Sequence, residues 1–511
     1  MKRIRTLMLV GLAALCLQFG ANAQIQPGSF GYYEDALRFS QLSQIGSARI
    51  SGLAGSGSVL GGDVSSAILN PAGLGFFNRS QFVLTPSLNF NQFESTYLLR
   101  ETRNEDTNLA IANLGLVINF NKSDYVPGGW RGGSLAITFN RTNDFRQQLS
   151  YSGEGIGVSI IDAMLDRADL FFPEELGGIE QVGYDHFLIN PLPGAEDFYL
   201  SPVEGNPIQQ ERIVRTGFTD QINIAFGGNY DDKIYLGAGI GIVSTNYTSN
   251  RIYTENFSNT VLSSFSLDER FDVSGTGFNA NIGVIVRPVD FIRFGVSLTT
   301  PTWYNFSEES DAIYNSEWNN FDASTFLDNG NRVILEDTVL NSLQTQTDIF
   351  FSEYELRTPL KFNAGVAFFL GKNGFISADY ERLNYGSANV SSVDFIADND
   401  NETIQNNFEP VNNLRIGAEY RYKIFRFRAG YAMLGDPTNG RFNTFGDVDR
   451  SRTIVSGGVG LNFGKYFLDL SYSQTKFEES FTSFSFASSA GPTSLTETTL
   501  NNARISFGLN F

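Results

Sequence analysis

Eight charged residues share one parity along four adjoining strand-like segments: Lys361, Asp379, Glu381, Arg415, Glu419, Arg421, Arg426 and Arg428. In each segment the opposite parity is apolar, so a sheet with one apolar face would project all eight to the other side. Carboxylates and guanidiniums so arranged neutralise one another across strands, or leave a cation free to take an acidic ligand. Most are expected to pair. Lys361 and Arg415 lie toward mid-strand, and these two are expected to hold a carboxylate head while apolar side chains accept the rest of the molecule.

Hydrolytic chemistry has much less to draw on. His186 is the only histidine and stands in Tyr184-Asp185-His186-Phe187 without a nucleophile signature, so it reads as a surface residue. Asp398-Asn399-Asp400-Asn401-Glu402 offers oxygen ligands but lacks the glycine and spacing of a calcium loop, and reads as a solvated loop tip. The glycines at 52, 55 and 57 do not follow a strand and open a helix, so they make no phosphate-binding fingerprint. An enzyme is not expected, and neither a cofactor nor a metal is.

The termini define the setting. Lys2, Arg3 and Arg5 precede an apolar run, and Ala21-Asn22-Ala23 completes a cleavage pattern, so residues 1–23 are expected to be a secretory signal peptide. The single cysteine, Cys16, follows Leu15 rather than a small residue, which argues against lipidation; the mature chain would then have no thiol and no disulfide. Loss of the three basic residues takes the formal charge from −19 to about −22, which argues against a nucleic-acid partner. The composition includes 46 Phe, 21 Tyr and 51 Gly, yet no later stretch is long and apolar enough for a membrane helix. An exported chain of this kind points to a β-barrel.

The C-terminus reads NARISFGLNF, with Ala503, Ile505, Phe507, Leu509 and Phe511 alternating with small or polar residues. That is a lipid-facing strand ending on an aromatic. The same alternation recurs in 14 segments between residues 81 and 511, separated alternately by tight turns and long polar stretches. The expected fold is all-β: a transmembrane antiparallel barrel of about 14 strands spanning residues 80–511, with long extracellular loops near 153–213 and 306–350. Residues 24–79 are too few for a domain and are assigned to the lumen. Glycines on the inward parity, including Gly237, Gly283, Gly417 and Gly430, make room for something inside, or reflect the tolerance of barrel interiors for glycine.

Residues 46–77, GSARISGLAGSGSVLGGDVSSAILNPAGLGFF, resemble the N-terminal hatch of FadL-type outer-membrane transporters of long-chain fatty acids and other hydrophobic compounds. The likeness rests on Arg49, the small-residue run, Asp63 and Asn70-Pro71-Ala72. TPLKFNAGVAFFLGKNGFISADYERLNY and LRIGAEYRYKIFRFRAGY resemble later strands of that family. The resemblance implies a hatch inside the barrel, passive uptake from an extracellular groove, and lateral exit at a kinked third strand with Asn70, Pro71 and Ala72 beside it. It also implies a bacterial outer-membrane location, with a hydrophobic ligand and membrane lipid as partners. A monomer is expected. A second class of function is a barrel associated with type IX secretion that holds secreted proteins.

Two further segments bear on this reading. In the third strand the lipid-facing parity of Leu135, Ile137 and Phe139 continues into Arg141 and Asn143, which are costly in hydrocarbon. Either a bulge over Arg141, Thr142, Asn143 and Asp144 turns them inward and opens the wall, or the membrane band ends at Phe139. Pro86 in the first strand, and a parity shift between Ile111 and Leu114 in the second, are neighbouring irregularities. In the long loop, Ile160, Ile161, Met164, Leu165, Ala168, Phe171 and Phe172 form one helical apolar face before Pro173, which serves as a capture arm or caps the barrel mouth.

Overall fold

The computed structural model describes residues 31–43, 45–121, 129–155, 157–438 and 448–511. The expected signal peptide, with Cys16, lies outside them, as do residues 24–30 of the expected hatch.

Fourteen strands close a ring. In chain order they are Gln81–Tyr97; Arg100–Asn121; Trp130–Asp144 continued by Gln147–Glu154; Ile208–Tyr230; Ile234–Asn256; Leu262–Val289; Ile292–Thr299 continued by Trp303–Asp322; Phe350–Arg357 continued by Lys361–Phe369; Gly374–Asn384; Pro410–Tyr422; Phe425–Leu434; Arg452–Asn462; Tyr466–Thr482; and Thr493–Asn510. Each pairs antiparallel with the next, and the last pairs with the first from Gln81↔Asn510 to Thr96↔Leu495. The ring therefore has no edge strand at its closing seam.

The period-two pattern decides which way each side chain points. Ile222, Ile242, Phe278, Phe294, Ile416, Phe427, Val455 and Phe507 stand exposed on the outside, as lipid-facing residues must. Tyr422, Phe425, Phe463, Tyr466 and Phe511 form an aromatic rim at the end carrying the tight turns. At the other end the strands outrun the belt. Above the paired Phe278 and Trp303 the outward row turns polar, with Asp272 and Ser274 opposite Ser307 and Glu309, while the inward row keeps Leu267, Phe306, Ala312 and Tyr314, with Glu308 and Ser310 among them. Those residues bury against loop helices, so the backbone keeps strand geometry after the lipid ends. The expected loop over 306–350 is thus largely an extension of the barrel: the seventh strand reaches Asp322 and pairs with Val339–Gln346.

Residues 31–43 and 45–77 pack against inward-facing residues of the strands. Asp379 of the ninth strand accepts from the Gly57 and Ser58 amides at 2.7 and 2.9 Å and from Ser58 Oγ at 2.7 Å. Arg428 bridges Glu419 and Asp469 at 2.7 and 2.6 Å, and Arg49 reaches Glu419 at 3.6 Å and Asp63 at 4.0 Å. On the closing strand, Ser506 Oγ accepts from the Ala48 amide at 2.8 Å and Arg504 donates to the Gly46 carbonyl at 2.7 Å. Two inward glycines permit the closest approaches. A Cβ on Gly283 would overlap the Asn70 side chain, and one on Gly430 would overlap the backbone at Leu53 and Ala54. Other inward glycines, such as Gly239 and Gly241, clear space for the side chains of neighbouring strands instead.

The helix Tyr32–Arg38 ends this segment on the extracellular side. It packs on a second helix, Asp398–Asn407, where Asp400 Oδ1 accepts from the Tyr33 amide at 3.2 Å. The acidic run 398–402 is accordingly not a free loop tip. It is the first turn of a helix whose Ile404 is buried, and its carboxylates sit at the positive end of that helix.

Candidate functional site

Two cavities lie in series along the lumen, and the wall beside them is broken. The larger, about 940 Å³, is walled by Tyr33, Phe93, Phe145, Tyr247, Phe271 and Phe481 among others, above the helix Tyr32–Arg38. The smaller, about 180 Å³, lies deeper and is more polar, with Asn279, Asn281, Thr302, Lys361 and Arg415 on its walls. Gln41, Ser43, Arg450 and Arg452 line both. Residues 39–43 are the partition between them, and Arg452 donates to Gln41 Oε1 across it.

The break lies between the second and third strands. Their ladder runs from Asn121↔Gly132 to Asn113↔Asn140 and stops, although the second strand continues to Arg100 on the first and the third continues to Glu154 on the fourth. Thr142 is an extra residue in the third strand's pairing with the fourth, which passes from Arg141↔Asp220 to Asn143↔Thr219. This bulge turns Asn143 and Asp144 into the larger cavity and Thr142 into the smaller. Each bond across the gap among the described residues involves a side chain: Asn108 Nδ2 donates to Asp144 at 2.9 Å, Asn104 Nδ2 donates to the Ser150 carbonyl at 3.1 Å and Asn104 Oδ1 accepts from Ser150 Oγ at 2.7 Å, and Arg146 pairs with Asp106 at 3.8 Å. Outside, Leu109 and Ile111 border it, 77 and 49 % exposed. The irregularities at Pro86 and in the second strand are two sides of one bulge, because Thr85 pairs with Asn113 and Pro86 with Ile111, skipping Ala112.

Several expected site residues stand elsewhere. Arg141 does not turn inward; it remains on the outward parity and forms a two-pronged pair with Asp220 at 2.9 and 3.0 Å, which neutralises it. Asn70, Pro71 and Ala72 lie against the fourth to sixth strands, around Gly227, Gly237 and Gly283, where Asn70 Oδ1 caps the turn Pro71–Phe76 by accepting from the Ala72 amide at 3.1 Å. Gly227 pairs with Ser134 on the third strand. Seven residues separate Ser134 from Arg141, about 23 Å of strand, so this trio is not beside the break. The contact there comes from upstream: the Ser43 amide donates to the Thr142 carbonyl at 2.9 Å and Ser43 Oγ to Asn143 Oδ1 at 2.7 Å. Sequence reasoning missed residues 41–43, which carry no periodicity or motif.

Of the two expected cations, Arg415 is committed to Glu381 at 2.9 Å. Lys361 faces the smaller cavity and makes no hydrogen bond among the described residues. The loop helix is Ile160–Ala168, shorter than expected because Leu170 adopts a positive φ of 76° and its amide bonds the Asp197 carbonyl. Ile160, Ile161 and Met164 are buried against Leu262, Phe265 and Trp318, and Leu165 packs beside them. That face closes the headpiece and is not a free capture surface; Phe171 and Phe172, beyond the helix, remain half exposed.

His186 is also buried rather than superficial, with Nε2 2.9 Å from Thr345 Oγ1 and Nδ1 3.0 Å from Ser316 Oγ. Burial lowers its pKa from 6.5 to about 4, against a smaller upward pull from Asp185. A folded headpiece with a neutral ring binds fewer protons than the unfolded one. Its stabilisation is complete above about pH 6.5 and falls as pH drops toward 4, by up to about 3 kcal/mol. Proteolysis of the headpiece should accelerate over that range, and a His186→Gln variant should flatten the dependence.

A closed and filled barrel with an outward apolar belt is an outer-membrane β-barrel of bacteria, and its fold is the FadL type. Superposition on solved structures gives a TM-score of 0.51 with the Pseudomonas putida toluene transporter TodX, at 13 % identity over 92 % of this chain and 99 % of that one. A Pseudomonas aeruginosa FadL homologue gives 0.52 at 12 % identity, and the Ralstonia pickettii toluene transporter TbuX 0.50 at 13 %, each with the same coverage. No protein-family model and no curated protein matches the chain.

Proposed function

We propose that this barrel is a passive channel for hydrophobic small molecules such as long-chain fatty acids or monoaromatic hydrocarbons. The ligand enters the larger cavity from outside, reaches the partition at residues 39–43, and leaves sideways between the second and third strands into the membrane. The observation that carries this reading is the interrupted ladder above Asn113↔Asn140, bordered outside by Leu109 and Ile111 and inside by Asn143 and Asp144 of the cavity wall. A gap whose second-strand lip is apolar lets an apolar solute pass toward lipid with little contact with water. The TodX and TbuX structures, described as toluene transporters, support the same class of solute. Residues 31–77 act as the hatch, blocking the axial route.

Cells lacking their own hydrocarbon channels and expressing this protein should take up toluene or oleate faster than cells carrying the empty vector. Equal rates would overturn the reading. Leu170, Phe171, Phe172 and Phe198 stand exposed on the headpiece, which keeps in view a barrel that holds secreted proteins. Purification with a bound secreted protein, and with no lipid or hydrocarbon in the extract, would favour that second function.

A further inference from the structure

Glu308 lies on the inward row of the seventh strand, between the aromatic pair Tyr304 and Phe306 and the headpiece. The outward residues flanking it are Ser307 and Glu309, so it stands above the membrane belt. It is 2 % exposed, lines the larger cavity, and its Oε2 has no hydrogen-bond partner. The nearest hydroxyls have partners of their own: the Tyr32 hydroxyl, which also bears on the Glu308 carboxyl, lies 2.9 Å from Ser352 Oγ, and Tyr354 donates to Asp35 at 2.7 Å. Arg38 bonds Asp35 and Glu34, while Arg270 bonds Asp272 at 2.6 Å. A buried carboxyl oxygen without a partner, on a residue that borders a cavity, calls for a polar atom from whatever occupies that cavity.

We propose that Glu308 anchors the uncharged hydroxyl of an aromatic ligand, a phenol, in the larger cavity. The inference rests on reading that cavity as the channel's entry site, and it narrows the solute class. Tyr33, Phe145, Tyr247 and Phe271 supply flat apolar walls for a ring. Charge of either sign is disfavoured at the anchor. A carboxylate ligand would meet the acidic side chains of Glu34 and Asp35. An ammonium ligand would meet Arg38, whose guanidinium already covers the Tyr247 ring at 4.6 Å and the Phe271 ring at 6.0 Å. A neutral hydroxyl fits between them, because it both donates and accepts. Burial, with Asp35 adding to it, pushes the Glu308 carboxyl up to about 8, against Arg38 and the Tyr32 hydroxyl. Near neutral pH the carboxyl therefore keeps its proton and can bond the hydroxyl in either sense.

The test is calorimetric binding to the purified full barrel in detergent, using 4-methylphenol, toluene, 4-methylbenzoate and 4-methylanisole. The wild type is expected to bind 4-methylphenol about tenfold more tightly than toluene, the worth of one hydrogen bond, and 4-methylbenzoate most weakly. Glu308→Leu should abolish the phenol-to-toluene ratio, and the isosteric Glu308→Gln should retain most of it. The anisole comparison needs no variant: the ether cannot donate, and it should bind more weakly than the phenol. Equal affinity for phenol, anisole and toluene in the wild type, or a ratio unchanged in Glu308→Leu, overturns the inference while leaving the channel reading intact. Failure of all four compounds to bind removes both.

Discussion

The double variant Ser43→Cys, Asn143→Cys loses hydrocarbon uptake when oxidised, down to the rate of cells without the protein, and regains it on reduction. The two side chains already touch at 2.7 Å, and the Ser43 amide bonds the neighbouring Thr142 carbonyl at 2.9 Å. Two backbones that exchange such a bond lie within the separation a disulfide spans. The cross-link would fix the partition against the bulged strand, so solute could pass from the larger cavity to the wall only by displacing a covalent tether. Cys16 is the only native cysteine and falls within the expected signal peptide, so no mature thiol competes. Ser43→Ala separates locking from loss of a hydrogen bond, since it should leave uptake close to wild type. If the oxidised double variant transports normally, residues 41–43 do not move during passage.

Gly283→Leu should unseat the lumenal segment while leaving the barrel closed. A side chain there collides with Asn70 Oδ1 and comes within 2.8 Å of Asn70 Cγ and 3.3 Å of Pro71 Cδ. Asn70 cannot retreat without releasing its bonds to the Ala72 amide and the Val296 carbonyl. Overpacking of this kind costs about 1–3 kcal/mol, and it falls on one turn of a segment held by polar contacts rather than by strand pairing. Single-channel conductance should rise, and the N-terminal segment should become protease-sensitive, with the folded barrel still migrating as a compact species in unheated gels. Gly457→Ala is the control. Its Cβ would meet nothing closer than the Arg428 carbonyl at 3.7 Å, so conductance should not change. A rise in both variants, or in neither, would mean that the glycine at 283 does not set the fit.

Much of the barrel was legible because lipid imposes a strict rule on alternate residues. The strand Phe425–Leu434 shows it, with Phe425, Phe427, Ala429, Tyr431 and Met433 on alternate positions. Where lipid ends the rule ends with it. The sixth strand begins at Leu262, and its first residues are hard to read as strand because the outer row is polar there and only Phe265 and Leu267 of the inner row are apolar. The helix at 160–168 was visible from its period, but which way its apolar face turned depends on Phe265 and Trp318, distant in sequence. The site was less legible still. Glu308 did leave a signal, an acid on the row that runs Tyr304, Phe306, Glu308, Ser310 and Ala312. Asp220 left one too, as an acid on the lipid parity next to Ile222, and only the register shows that it answers Arg141.

The last strand has two jobs that chain order makes simultaneous. Arg504 and Ser506 hold the segment at Gly46 and Ala48, and the same strand joins the first strand to complete the ring. The lumenal segment is made first and its wall partner last, with more than 450 residues between them. During assembly the segment cannot be threaded into a finished tube with those bonds in place. The strand that closes the ring is also a clamp on that segment, so closure and filling depend on the same pair of residues. Damage to either clamp residue would therefore surface as a slow or leaky final stage of biogenesis, before any solute is carried.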